Sequence, residues 1–355
     1  MADLLRALLL VEAGILALLF LVLIAWPLVD RMIESRRARQ RRGLLSAVWN
    51  YRGEDSPGDV LGALGDASPK ALLWSLEAME EGGLEPEHLD VDRLVRDTPA
   101  FGRLERAARS SFWWRRQTAA QLLSHIGRPD EDRSLLVSLL RDPHPAVSSA
   151  ALLTARELGW PGLMEPLLDL ASGGGPATRG KETLLRETLS ALETDVVPAL
   201  GSRLRANVGR AEELTLLRVA GRLADEELLP YLVDRLRHGG LEVRIQAAKT
   251  VGEAGLAGAA DALRGALEDP AWQVRTQAAR ALGELEAAQA ADDLRRSLTD
   301  PSWWVRLRAA LALRRLGDPG RRILGSVDPE EDRYAADMAR YVLGLEDAVL
   351  EEYAR

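Results

Sequence analysis

Residues 243 to 316 repeat at an interval of 31. From Val243 the chain reads Val-Arg-Ile-Gln-Ala-Ala-Lys-Thr-Val-Gly, from Val274 Val-Arg-Thr-Gln-Ala-Ala-Arg-Ala-Leu-Gly, and from Val305 Val-Arg-Leu-Arg-Ala-Ala-Leu-Ala-Leu-Arg. A fixed period in this range marks stacked supersecondary units, none of which can bury its apolar face alone. Such arrays offer a long surface to a partner rather than enclosing one catalytic pocket.

One unit shows the pattern most clearly. Val274, Ala278, Ala281, Leu282 and Leu285 fall at i, i+4, i+7, i+8 and i+11, one face of an α-helix. Leu263 and Leu267 precede them, and Leu294 and Leu298 stand at the matching offsets of the next unit. Each unit is therefore expected to be two antiparallel amphipathic helices. Asp269-Pro270 and Asp300-Pro301 punctuate the turn between them, because Pro stops one helix and opens the next. The pairs Ala278-Ala279 and Ala309-Ala310 are small enough for neighbouring helices to approach closely. Stepping backwards, Val147 lies 96 residues before Val243, three steps of 32, and a further step reaches Arg115. The skipped steps fall near Arg179 and Ala211, where the pattern is degenerate, and a capping unit is expected near Ala335.

The pattern Asp-Pro-x-x-x-Val-Arg-x-x-Ala-Ala-x-Ala-Leu-Gly resembles the HEAT-repeat family, in particular the short bacterial form that also occurs in phycobilin lyase subunits. Asp269–Gly283 match it almost residue for residue. Asp300–Leu313 match closely, with Arg314 in place of the Gly, and Asp142–Leu158 match less well, with Ser148 in place of the Arg. The resemblance implies an all-α fold, an α-solenoid of HEAT-type helical hairpins. It also implies that Arg244, Arg275 and Arg306 bind turn aspartates, Asp269 and Asp300, of adjacent units as a structural ladder. In HEAT proteins the second helices line the concave face.

At the N-terminus, Ala7 to Val29 carry a single charge, Glu12, a length that suffices to cross a bilayer core. Six arginines follow between Arg31 and Arg42, among them Arg36, Arg37, Arg39, Arg41 and Arg42. The expectation is a single transmembrane helix with the N-terminus outside, the repeats in the cytoplasm and the arginines near anionic headgroups of the inner membrane. Glu12, an acid within the span, is a candidate functional residue weighed against one that snorkels to the interface. The expected organisation is an anchor over 1–30, a basic juxtamembrane segment over 31–42, a helical region over 43–110 and the solenoid with its C-terminal cap over 111–355. Within 43–110, Ser68 and Pro69 open a helix, and Gly53 to Gly65 read as loop.

Chemistry-bearing motifs are scarce. The chain has no Cys, which excludes disulfides and thiolate metal sites. Gly175 to Lys181 satisfy half of a phosphate-binding loop, but Glu182 stands where a Ser or Thr must reach Mg²⁺. The four histidines, His88, His125, His144 and His238, show no metal-ligand spacing. No nucleophile elbow appears. The expectation is a protein without enzymatic activity, cofactor or small-molecule ligand. A net charge of −8 argues against nucleic-acid binding.

Two features point to a protein partner. Gln246, Lys249, Gln277, Arg280, Arg308 and Arg314 form a polar, basic stripe on the second helices of an acidic chain. Trp113-Trp114, Trp272 and Trp303-Trp304 occupy corresponding places before the second helices, with Trp114 and Trp304 the better contact candidates. The function expected is a membrane-anchored docking scaffold in an envelope-biogenesis, secretion or signalling assembly. A bilin lyase or a HEAT-like nucleic-acid binder is the alternative that the resemblance offers.

Overall fold

The computed structural model describes residues 20, 31–47, 58–81, 91–173, 180–192, 195–206, 208–346, 349 and 353. Every regular element among them is helical. Contacts divide the chain into two compact units, Met1–Thr154 and Ala155–Arg355, the division falling inside one helix.

The first unit begins with a helix over 31–47 (α1), followed by α2 (Gly58–Asp66), α3 (Pro69–Glu81), α4 (Val91–Arg96), α5 (Pro99–Ala108), α6 (Trp113–Ile126), α7 (Pro129–Leu140) and α8 (Pro145–Leu158). The Ser68 hydroxyl caps α3 by accepting from the Ala71 amide at 3.3 Å, with Pro69 in the first turn. Residues 58–65, expected as loop, are helical instead. Val60 and Leu64, spaced i, i+4, are buried there, and this packing outweighs the glycines around them. Gln40 of α1 donates to the Asp66 carbonyl at 2.7 Å, which fixes α1 against the turn between α2 and α3. The helix α5 packs against α6.

The second unit carries α9 (Met164–Ser172), α10 (Glu182–Ser190), α11 (Val197–Arg205), α12 (Arg210–Ala220), α13 (Leu229–His238), α14 (Leu241–Ala254), α15 (Ala260–Ala266), α16 (Trp272–Glu284), α17 (Ala291–Arg296), α18 (Trp303–Arg315), α19 (Asp318–Gly325) and α20 (Arg333–Leu343). Second helices pack on second helices in sequence: α10 on α12, α12 on α14, α14 on α16, α16 on α18 and α18 on α20. Helices are present at the two degenerate registers, as α10 and α12, each held by ordinary leucines such as Leu185, Leu189, Leu216 and Leu217.

The period has a steric cause. A Cβ on Gly252 would stand 3.0 Å from the Cα of Ala281, and one on Gly283 would stand 2.8 Å from the Cα of Ala312. The Gly closing each motif is thus the seat for the Ala seven residues into the next one.

The single-pass inner-membrane assignment is not sustained. Among the described residues no helix is long and apolar enough to cross a membrane. The span on which it rested, with Glu12, lies outside the described residues except for Phe20. The lipid contacts expected of Arg36, Arg37, Arg39, Arg41 and Arg42 lose their support with it, since these residues occupy the described helix α1. The glycine-rich 174–179 stretch and most of the half-motif ending at Lys181 also lie outside the described residues.

Candidate functional site

The turn aspartates tie successive second helices together. Asp269 accepts from Nε and Nη2 of Arg244 at 2.7 and 3.0 Å, and Asp300 from the same atoms of Arg275 at 2.7 and 2.9 Å. Each carboxylate also accepts an amide of its own turn, from Ala271 at 2.9 Å and from Ser302 at 2.7 Å. Arg306, with no later motif aspartate, donates to the carbonyls of Asp300 and Pro301. The expected ladder is therefore structural. It has a rung in the first unit that the sequence reading did not name, Arg116 on Asp142 at 2.5 and 3.0 Å. Burial alone would raise the Asp142 carboxyl, but the Arg116 hydrogen bond and the His144 amide hold it below the usual carboxylate range. The same bond raises Arg116, and the Asp300 bond raises Arg275.

Beyond the rungs, the six residues of the expected basic stripe lie on α14, α16 and α18. Its members are half-buried rather than fully solvated. Lys249 pairs with Glu253 at 3.6 Å, and Arg186 of α10 reaches the same carboxylate at 3.4 Å. Arg280 pairs with Glu284 at 2.8 Å. Gln246 donates to the Thr250 hydroxyl at 3.4 Å. The Gln277 carbonyl is buried without a hydrogen-bond partner among the described residues. Arg314 is likewise half-buried near the end of α18.

Two of the six, Arg280 and Arg308, border one crevice. Arg280, Arg308 and Arg315 line it together with Gly283, Leu311, Ala312 and Tyr353. Burial, and then the positive charge of Arg280, push the Arg308 guanidinium below its ordinary range. Arg308 uses Nη1 to donate to the main-chain carbonyl of Tyr353 at 2.5 Å, and the Tyr353 hydroxyl lies 2.9 Å from that of Tyr341. Arg315 and Tyr353 were not singled out in the sequence. Arg315 stands where the two preceding repeats carry Glu253 and Glu284, and Tyr353 lies past the last repeat.

The tryptophans stand at the start of second helices and are exposed, most of all Trp304 at 52% and Trp114 at 51%. Trp113 instead stacks on His144, with ring centroids 4.3 Å apart. Trp303 meets Trp304 edge to face at 4.8 Å, and with Arg306, Tyr334, Met338 and Tyr341 it borders a cavity of about 260 Å³. Of the histidines in described segments, His125 contacts Glu80 at 2.7 Å, and no group of acids and histidines that could hold a metal occurs among the described residues.

The family profile of HEAT repeats matches residues 197–276 and 265–339. Residues 197–339 carry HEAT repeats. They cover α11 to α20, and so include the arginine–aspartate rungs of the second unit and the basic stripe. The fold is similar to that of Kap95p in its complex with RanGDP, with a TM-score of 0.53 and 12% identity over 84% of this chain and 47% of Kap95p. A Kap95:Nup1 complex is similar to the same degree, with a TM-score of 0.53 and 13% identity over 81% of this chain and 45% of that one. The chain thus spans about half the length of these similar structures. No curated protein matches the sequence.

Proposed function

We propose that the chain is a non-catalytic protein-docking scaffold, in which the second-helix face of the HEAT repeats over 241–315 receives a partner's polypeptide segment. The observation that carries this reading is the hydrogen bond from Arg308 to the Tyr353 carbonyl. Tyr353 lines the crevice with Arg280, Arg308 and Arg315, and its main-chain carbonyl is held by Arg308. Three guanidinium groups converge there beside one stripe carboxylate, Glu284, so a segment with acidic side chains gains charge-assisted hydrogen bonds as well. The use of a HEAT array to hold a protein, as Kap95p holds RanGDP or Nup1, is consistent with this role.

The test is crosslinking from native lysate with the full chain and an Arg280→Gln, Arg308→Gln variant, followed by mass spectrometry. Amide replacements keep the half-buried side chains polar and neutral, so the repeats should melt within a few degrees of wild type. The expected result is a partner whose acidic segment crosslinks to α14, α16 and α18 and is recovered roughly tenfold less with the variant. Equal recovery, or crosslinks confined to α13, α15 and α17, would contradict the reading.

A further inference from the structure

The first unit holds a second constellation, unrelated to the repeat stripe. Arg37 of α1, Lys70 of α3, Arg103 and Arg106 of α5 and Arg115 of α6 line one cleft of about 450 Å³. No carboxylate lines it among the described residues. The chain has 54 acidic against 46 basic residues, so five cations on one wall without an acid run against its background. None of the five forms an ion pair with a described carboxylate, although Arg96, Arg116, Arg203 and Arg244 do elsewhere.

Four of the five are held by neutral groups instead, which leaves their charge uncompensated. Arg103 donates through Nε and Nη2 to the Ala67 carbonyl at 3.1 and 2.7 Å, and through Nη2 to Gly65 at 2.7 Å. Lys70 lies over the Trp74 ring at 4.8 Å and Arg115 over Phe112 at 5.3 Å, while Arg106 donates to the Gly102 carbonyl at 3.0 Å. A second observation has the same sign. The first turn of α3, a helix of 13 residues, opens on the cleft through Ser68, Pro69 and Lys70, and a helix N-terminus favours anions. Thr118 adds a hydroxyl to the wall, and the half-exposed Trp114 ring borders it.

We infer that this cleft binds a small organic polyphosphate. Its phosphates sit among the five cations, where guanidinium forks match phosphate oxygens in pairs, and its organic part packs on Trp114. The volume lies within the range of small-molecule pockets. The inference is independent of the docking reading, since every residue it uses lies in the other unit.

Isothermal titration of the full chain at low salt tests it with three probes: sodium tripolyphosphate, ATP without metal, and adenosine. Tripolyphosphate and ATP should bind one per chain, ATP the tighter, with affinity falling as salt rises, and adenosine should give no measurable heat. The variant Lys70→Gln, Arg106→Gln, Arg115→Gln should weaken both polyphosphates roughly thirtyfold. Its melting temperature should hold, because all three side chains are exposed. Trp114→Ala should weaken ATP several-fold and leave tripolyphosphate unchanged. Absence of binding by either polyphosphate at millimolar concentration, or wild-type affinity in the triple variant, overturns the site. Wild-type ATP affinity in Trp114→Ala overturns the placement of the organic part.

Discussion

Asp142, Asp269 and Asp300 each accept a fork of two hydrogen bonds from an arginine 25 or 26 residues earlier and one from an amide of their own turn. Because the folded Asp142 carboxyl titrates below its ordinary range, its stabilisation is fully present above the unfolded pKa of about 3.9. That stabilisation is lost as pH falls through the lower folded value. Asp142→Asn should therefore cost about 1–3 kcal/mol at neutral pH, and the gap to wild type should narrow below about pH 4 in urea titrations. A gap constant down to pH 3 would mean that the charge contributes nothing. Another residue-scale feature is a positive φ twelve positions into the repeat, at Gly159, Gly255, Glu286 and Gly317, with φ of 59°, 71°, 49° and 72°. Glu286 is the one side chain in that set. A left-handed L-residue costs about 1–2 kcal/mol, of which the extra freedom of an unfolded Gly gives back about 0.5–1. Glu286→Gly should stabilise the second unit by roughly 0.5–1 kcal/mol in chemical denaturation, and a loss of stability would refute the strain.

At the scale of elements, the contact of Gly283 with Ala312 sets how closely α16 and α18 approach. Gly283→Ala gains helix propensity of about 1 kcal/mol, yet its methyl would meet backbone 2.8 Å away. Overpacking of that kind costs about 1–3 kcal/mol, so the net effect should be a lower melting temperature. The second helices α14, α16 and α18 are legible in the sequence because steric demand recurs there every 31 residues. The rungs from Arg244 and Arg275 follow from the resemblance to HEAT repeats instead. The rung at Arg116 does not, since Arg115 occupies the place of the motif Val and hides the register. Helices α10 and α12 rest on leucines that any amphipathic helix carries, so their period cannot be read. The polyphosphate cleft is illegible for another reason. Its cations come from four helices between residues 37 and 115, and no spacing rule links positions joined only by packing. Removing one full period, Val274 to Trp304, should leave a shorter, cooperatively folded helical chain by circular dichroism, because repeats contact mainly their neighbours. Collapse of helicity across the whole chain would count against a repeat array.

At the scale of the molecule, an acidic chain gathers a group of basic side chains at one place in each compact unit. The cleft of the first unit has a small-molecule size and a closed set of cations. The second helices of the second unit form an extended row, and Arg308 in it holds the main-chain carbonyl of Tyr353. Docking on that row makes a prediction that no other face shares. Hydrogen–deuterium exchange of the full chain, with and without the partner recovered by crosslinking, should show slower exchange on binding in α14, α16 and α18, strongest around Arg280 and Arg308, and none in α13, α15 and α17. Slowing confined to α13, α15 and α17, or no change in α16 and α18, would contradict it.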